Sequence, residues 1–126
     1  MAKILVIDDD ALMRRLVGRI LHDGGHDVIE AMDGQEGMVS FRTNRPNIVV
    51  TDLVMPQQDG IETILKLRRE NPSILILAIS GGLLGSTVYL DAAQELGADA
   101  TLMKPFLADD LLGEIDKLLH GEMSRA

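Results

Sequence analysis

Five side chains that could do chemistry stand at the ends of short apolar runs along the chain. Asp8 and Asp9 end the first such run, Asp52 the third, Ser80 the fourth and Lys104 the fifth. Carboxylates crowded into one place repel one another and resist ionising together, and a divalent cation relieves that repulsion. Mg²⁺ suits this set because it uses one or two carboxylates, keeps several waters and accepts phosphate oxygens. The residue types therefore predict a Mg²⁺ site, provided that the runs end at one edge of the fold.

Asp52 is the predicted acceptor of a phosphoryl group. It ends the apolar run 48–51, and a proline-marked turn follows at Pro56. A carboxylate placed in this way can attack phosphorus and form an aspartyl phosphate. Lys104 offers a compact cation that can pair with a phosphate oxygen, and Ser80 offers a hydroxyl donor. Acceptor, cation and hydroxyl together favour phosphoryl transfer over the other uses of an acidic cluster.

The apolar runs alternate with segments of helical periodicity. The predicted strands are 4–7, 28–29, 47–51, 74–79 and 100–103, and the predicted helices are 11–21, one after Asp33-Gly34, one after Asp59-Gly60, about 87–96, and a last one that includes Leu107. Such alternation is typical of a parallel sheet with right-handed crossovers and helices on both faces, so we predict a doubly wound, five-stranded α/β fold. The carboxyl ends of all its strands meet at one edge, where folds of this class place their chemistry.

Two helices show where the apolar faces are expected. In the first helix, Leu12 and Leu16 belong to the apolar residues that recur at helical spacing, and Asp10 is placed to cap the helix. In the last helix, Leu107 begins the apolar stripe. We expect residues 1–121 to form one domain and residues 122–126 to form a short tail.

Composition and charge exclude several classes of protein. With 46% hydrophobic residues among 126, one domain with a sizeable aliphatic core is expected. The formal charge of −8 argues against direct binding to nucleic acid and against docking on an anionic membrane. The absence of Cys excludes disulfides and Cys-based zinc sites. No run is long enough for a signal-peptide core or a membrane span, so we expect a cytoplasmic protein.

Each candidate residue also has a simpler interpretation. Asp8 and Asp9 taken singly would be turn acids, Ser80 a loop residue, Lys104 a surface lysine, and Asp52 the cap of whatever follows its strand. What weakens these interpretations is that one topology sends all five to the same edge. The three histidines, His22, His26 and His120, fall near predicted helix ends, where solvated or capping roles are expected.

Four pieces of sequence, in this order, identify a family. They are 4–10, 51–56 followed by Asp59-Gly60, 78–81, and 97–100 leading to Lys104-Pro105-Phe106. Over essentially its whole length the chain resembles the receiver domain of bacterial two-component response regulators, of the single-domain, chemotaxis-receiver type. The resemblance implies a flavodoxin-like fold with strand order 2-1-3-4-5.

The resemblance also implies the roles of the metal-site residues. Asp52 looks like the phosphorylated aspartate, Asp9 like the direct Mg²⁺ ligand, and Asp8 like its neighbour that acts largely through water. The backbone carbonyl of Val54 is in the place of the third protein ligand. Ser80 and Lys104 look like the switch hydroxyl and the phosphate-pairing lysine.

The function implied is that of a signalling switch. A histidine kinase or a histidine phosphotransfer protein donates the phosphoryl group, and an unidentified downstream protein binds the changed surface. Apart from its own phosphorylation and dephosphorylation, such a domain is not an enzyme, and it is a monomer or a weak dimer. The peptide bond between Lys104 and Pro105 is expected to be cis. Thr101 stands where the family usually has an aromatic switch residue, so the usual inward rotation of a ring is not available.

Three other interpretations remain at this point. The chain can be a pseudo-receiver that keeps the fold as a protein-binding scaffold without phosphorylation, which the missing aromatic residue allows. A phosphatase of the haloacid dehalogenase type would use the Asp-x-Asp spacing at 8–10, but Leu12 stands where Thr or Val is wanted. A flavodoxin-like FMN carrier is disfavoured because three acids in the first loop repel a phosphate.

Overall fold

One sheet of parallel strands forms the centre of the structure. The structure is a computed structural model and describes residues 2–53, 60–81 and 88–125, with only the backbone described at 88, 89 and 122–125. Its strands are β1 (Lys3–Ile7), β2 (Asp27–Ala31), β3 (Ile48–Asp52), β4 (Leu75–Ser80) and β5 (Ala100–Met103). Its helices are α1 (Ala11–Asp23), α2 (Gly34–Asn44), α3 (Gly60–Glu70), α4 (Val88–Leu96) and α5 (Ala108–Arg125).

The strand order is β2-β1-β3-β4-β5, with every neighbouring pair parallel. This confirms the doubly wound, five-stranded fold and the order expected from the resemblance. All residues of β3 and β4 are buried, as are the last four of β1. Continuous apolar runs suit these strands because helices cover both faces of a parallel sheet.

Alternate residues of each strand enter two separate cores. Leu5 and Ile7 of β1 lie in the core that α2, α3 and α4 complete, whereas Ile4 and Val6 lie in the core that α1 and α5 complete. Because side chains alternate across a strand, each run supplies both cores at once. The loops at the carboxyl edge therefore project from a sheet that is fixed from both sides.

The predicted helix α1 is confirmed, but two of the apolar residues that recur at helical spacing do not pack on the sheet. Leu12 is 80% exposed and Leu16 is 51% exposed, while the buried stripe of the helix contains Val17 and Leu21. Helical spacing identifies an amphipathic helix, but the stripe that packs on the sheet is narrow and excludes one row of apolar residues. The expected cap is confirmed, because the Asp10 carboxylate accepts the backbone N–H groups of Leu12 and Met13.

The last helix differs from expectation at its start. Leu107 precedes α5 and is 72% exposed, so it is not part of the buried stripe. At the other end, the backbone of α5 is helical through Arg125. A single Gly such as Gly121 costs a helix only about 1 kcal/mol and does not end it. Among the described residues, no helix is both long and apolar enough to cross a membrane.

His26 is buried, although its position in the sequence predicts a solvated or capping role. Only 7% of the residue is exposed, and its Nδ1 accepts the backbone N–H of Ala2 at 3.1 Å. The contact joins the turn after α1 to the residue before β1, a pairing that no local sequence pattern indicates. His22 and His120 are exposed, as expected.

Gly60 begins α3 in direct contact with the end of β3. Its N–H donates to the carbonyl oxygen of Leu53 at 2.9 Å. A Cβ at this position would lie 2.2 Å from the carbonyl oxygen of Asp52 and 2.6 Å from the Cα of Leu53. Both are backbone atoms of a buried segment, so the clash cannot be relieved by rotating a side chain.

We predict that Gly60→Ala destabilises the fold by about 1–3 kcal/mol, the range for overpacking a well-packed site. Urea unfolding followed by circular dichroism measures it. The matched control is Gly113→Ala in α5, where a Cβ meets nothing within 4 Å, and which should stabilise by about 0.5–1 kcal/mol. Equal effects of the two substitutions would show that α3 does not depend on this close approach.

Candidate functional site

Three carboxylates converge at the carboxyl edge of the sheet. One carboxylate oxygen from each of Asp8, Asp9 and Asp52 lies within 4.8 Å of the other two. Asp8 follows β1 and Asp52 ends β3, and these two strands are direct neighbours. Asp8 is 5% exposed and Asp52 is 8% exposed, whereas Asp9 is exposed. Two of the three acids, Asp8 and Asp52, are therefore buried close to other negative charges.

Lys104 brings one cation to the cluster. Its Nζ lies 3.2 Å from Oδ1 of Asp52 and 3.8 Å from Oδ2 of Asp8. Lys104 follows β5, which is separated from β3 by β4, so the side chain reaches across the end of the intervening strand. The backbone N–H of Lys104 donates to the carbonyl oxygen of Ser80 at 2.9 Å, and this bond holds the backbone of Lys104 at the end of β4. The bond between Lys104 and Pro105 is cis, as the sequence analysis predicted.

Ser80 and Val54 complete the set of residues named from the sequence. Ser80 is the last residue of β4 and is 1% exposed, so it lies at the same edge as the acids. Val54 lies outside the described residues, as do the turn at Pro56 and the loop residues 82–87. The structure therefore brings Asp8, Asp9, Asp52 and Lys104 together and places Ser80 at the end of the neighbouring strand.

Hydrogen bonds hold the loop between β1 and α1 in place. The N–H of Asp8 donates to the carbonyl oxygen of Ala31 at 3.1 Å, which extends the pairing of β1 with β2 by one residue. The carboxylate of Asp8 accepts the N–H of Asp10 at 2.9 Å. The carboxylate of Asp10 points to the helix N–H groups instead, so the third acid of the loop caps α1 and stays out of the cluster.

Two residues near Asp52 were not singled out from the sequence. The hydroxyl of Thr51, a fully buried residue, donates to the carbonyl oxygen of Asp52 at 3.0 Å. Gly60 packs against the same peptide group, as described above. The pair Asp59-Gly60 predicts the start of a helix. The sequence pattern does not show that Gly60 also lies against the end of β3.

Burial shifts the ionisation of both buried acids. Burial, together with the smaller effect of the Asp52 charge, raises the pKa of Asp8 to about 6, although the hydrogen bond from the N–H of Asp10 acts in the opposite direction. Burial also raises the pKa of Asp52, against the attraction and the hydrogen bond of Lys104. The positive charge of Lys104 therefore does not fully offset the cost of burying the two ionised carboxylates.

The cluster fits Mg²⁺ by the chemistry of its donors. Within the described ranges the three acids are the group of His, Cys, Asp or Glu side chains close enough to hold an ion, and all the donors are hard oxygens. No imidazole belongs to the group, which disfavours zinc. The raised pKa of Asp8 gives the same indication, because a cation would favour the charged carboxylates that burial disfavours.

Comparison with known proteins agrees with this geometry. The family model of the response regulator receiver domain matches residues 4–116. The chain is 41% identical over 120 residues to the probable transcriptional regulator ycf27 of Porphyridium aerugineum, covering 94% of this chain and 48% of that protein. It is 38% identical over 118 residues to the response regulator MprA of a Mycobacterium species, with 94% and 50% covered. The chain thus spans about half the length of these curated relatives.

Solved structures show the same architecture. A response regulator receiver domain protein from Clostridium thermocellum superposes with a TM-score of 0.92 at 27% identity, covering all of both chains. The chemotaxis protein CheY4 of Vibrio cholerae superposes with a TM-score of 0.85 at 28% identity, covering 94% of this chain and 98% of that one. With its acids and lysine at the expected edge, the chain belongs to the response regulator receiver domain family.

Proposed function

We propose that this receiver domain takes a phosphoryl group onto Asp52 from the phosphohistidine of a histidine kinase or of a phosphotransfer protein. The observation that supports this most directly is the position of Asp52. Its carboxylate lies 3.2 Å from the amine of Lys104 and within reach of Asp8 and Asp9. A buried nucleophile, a cation for the phosphate and further oxygen donors are thereby assembled at one edge of the sheet.

The transfer is a displacement at phosphorus. A carboxylate oxygen of Asp52 forms the new P–O bond while the P–N bond of the phosphohistidine breaks, and its electron pair remains on the imidazole nitrogen. Lys104 then pairs with an oxygen of the transferred group, since its Nζ already lies beside the attacked carboxylate. Mg²⁺, when bound at Asp8 and Asp9, would neutralise charge on the phosphoryl oxygens.

Positioning accounts for most of this chemistry. The peptide group of Asp52 is fixed by the hydroxyl of Thr51 and by Gly60, and the loop of Asp8 is fixed by β2. Phosphoryl transfer needs little more than alignment and charge stabilisation. We therefore assign the domain no reaction beyond its own phosphorylation and dephosphorylation.

The output of the switch passes through Ser80 and Lys104. In this proposal the phosphate draws both side chains toward Asp52, and the backbone bond from Lys104 to Ser80 transmits the movement to β4 and β5. Thr101 lies in β5, is partly exposed and pairs with Ala78. A population shift between two arrangements of this edge is then detected by a partner protein. A scaffold without phosphorylation is disfavoured because the acids and the lysine are all present.

Intact-protein mass spectrometry after incubation with acetyl phosphate tests the acceptor. We expect one added phosphoryl group that requires Mg²⁺ and is absent from Asp52→Asn. If no adduct forms, beryllofluoride replaces acetyl phosphate, with thermal stability and backbone NMR shifts as readouts, because rapid hydrolysis does not affect that complex. Failure of both reagents to change the unmodified chain would refute the proposed function.

The raised pKa of Asp8 predicts a specific dependence of stability on pH. Its value of about 6 in the folded state exceeds the ordinary 3.8, so between these values the folded state binds more protons than the unfolded state. Without Mg²⁺, the free energy of unfolding therefore falls as pH rises through this window. At about pH 7.5 we expect Asp8→Asn to be more stable than the parent by about 2 kcal/mol.

Urea unfolding at about pH 5 and about pH 7.5, with and without Mg²⁺, measures this effect. Mg²⁺ should stabilise the parent more at the higher pH, where the carboxylates are ionised, and should have little effect on Asp8→Asn. Asp27→Asn, at the opposite edge of the sheet, removes the same charge and is the matched control. Destabilisation by Asp8→Asn at both pH values would contradict the assignment.

Exposed leucines beside the acidic loop predict where the phosphodonor docks. Leu12 and Leu16 are separated by one turn of α1 and are 80% and 51% exposed. The first turn of α1 directly follows Asp8 and Asp9, so any protein that brings a phosphohistidine to Asp52 must come close to it. Exposed apolar side chains in such a place are typical of a protein-binding surface.

Leu12→Ser should slow phosphoryl transfer from a phosphotransfer protein by about tenfold, equivalent to about 1.4 kcal/mol of lost contact. Transfer from acetyl phosphate should not change, because that donor makes no contact with α1. Leu96→Ser, an exposed leucine at the far end of α4, serves as the control. Equal loss with both donors would mean that Leu12 affects the site itself.

A further inference from the structure

Arg14 makes two directed contacts beside the acidic loop. One nitrogen of its guanidinium, Nη1, donates to the backbone carbonyl oxygen of Asp8 at 2.9 Å. The Nε donates to Oε1 of Glu30 in β2 at 3.1 Å. The Arg14 side chain is only 16% exposed, although it lies at the end of the first turn of α1, at the carboxyl edge. A residue of this kind is more ordered than an ordinary surface arginine.

We propose that Arg14 is a positioning residue that sets the loop of Asp8 and Asp9 for Mg²⁺. The inference deepens the proposed function and depends on it, since it concerns the metal site of the same phosphoryl transfer. Arg14 does not touch the reacting atoms. It acts through the peptide group that joins the two acids.

The backbone of Asp8 is held on both sides. Its N–H is bound by the carbonyl oxygen of Ala31, and its own carbonyl oxygen is bound by Arg14. Because a peptide group is planar, fixing the Asp8 carbonyl also fixes the N–H and Cα of Asp9. Asp9 is exposed and has no described hydrogen bond of its own to orient it, so its direction depends on that peptide plane.

Glu30 restrains the guanidinium, and its negative charge offsets the positive charge of Arg14. It is the residue directly before Ala31 in β2, so both supports of the loop come from adjacent positions of one strand. A free guanidinium close to the cluster would oppose the binding of a cation, and pairing with a carboxylate weakens that opposition. The rigid fork of an arginine can make both contacts at once, whereas a lysine amine on a flexible stem cannot.

The contacts of Arg14 could instead serve only to pack α1 against β2. A purely structural arginine would lower the stability of the fold when replaced and would leave the affinity for Mg²⁺ unchanged. A positioning arginine would weaken Mg²⁺ binding in a variant that is still folded. Measuring the two quantities separately decides between the roles.

The test uses Arg14→Lys and Arg14→Gln, with Arg15→Gln as the matched control because Arg15 is its exposed neighbour on α1. Mg²⁺ affinity is measured on each full chain by titration of the backbone NMR shifts of Asp9 and its neighbours. The Mg²⁺ concentration that gives half the maximal rate with acetyl phosphate is measured in parallel. Thermal unfolding reports the stability of each variant.

We expect both Arg14 variants to need about tenfold more Mg²⁺, the lower end of the effect of residues that orient metal ligands. Saturating Mg²⁺ should restore the maximal rate to within about twofold, and Arg15→Gln should match the parent. Glu30→Gln, which leaves the Asp8 contact in place, should weaken Mg²⁺ binding less than Arg14→Gln does. If the Arg14 variants do not fold, Glu30→Gln is compared with the parent instead: weaker Mg²⁺ binding would support the inference, and unchanged binding would overturn it.

Two outcomes would overturn the inference. One is an unchanged Mg²⁺ affinity in folded Arg14 variants, which would leave Arg14 a structural residue. The other is the absence of any Mg²⁺ response in the unmodified chain. A chain that binds Mg²⁺ with the expected dependence on Arg14 but forms no phosphoryl adduct would instead refute the proposed function alone, because the NMR titration requires no phosphoryl transfer.

Discussion

The buried carboxylates of Asp8 and Asp52 repel each other at the carboxyl edge of the sheet, and the fold must hold them there. Asp8 and Asp52 lie almost out of water, and burial raises the pKa of both. The single amine of Lys104 lies close to both acids and does not restore their ordinary ionisation. The folded chain therefore keeps unfavourable electrostatic energy at one edge, and a bound cation would relieve it.

The parallel sheet supplies the stability that this cluster lacks. Strands β1 and β3 are buried on both faces, so the ends that deliver Asp8 and Asp52 cannot move apart to relieve the repulsion. Parallel neighbours also end at the same edge, which makes convergence of their last residues a consequence of topology. Lys104 reaches the acids from β5 because its backbone is bonded to the end of β4.

The sequence predicted the sheet and the residues at its edge because those features follow from local patterns. Apolar runs set the strands, alternation with helices makes them parallel, and the residue after each run must then lie at the shared edge. It did not predict that Leu12 and Leu16 would be exposed, since periodicity gives the spacing of a helix face but not its contact with a sheet. The contact of Gly60 with the peptide group of Asp52 depends on how the chain turns between β3 and α3, and the apolar spacing that predicts those two elements does not encode it.

Strands β4 and β5, which carry Ser80 and Lys104, differ in how deeply they are buried. Every residue of β5 is only partly buried, whereas β4 beside it is buried throughout. Less packing holds β5 than holds β4, so of these two strands β5 is the easier to move. Thr101 offers no ring whose rotation could report a change of charge at Asp52. In the proposed switch, the movement passes along the backbone from Lys104 to β4 and β5, in part through the hydrogen bond from the N–H of Lys104 to the carbonyl oxygen of Ser80.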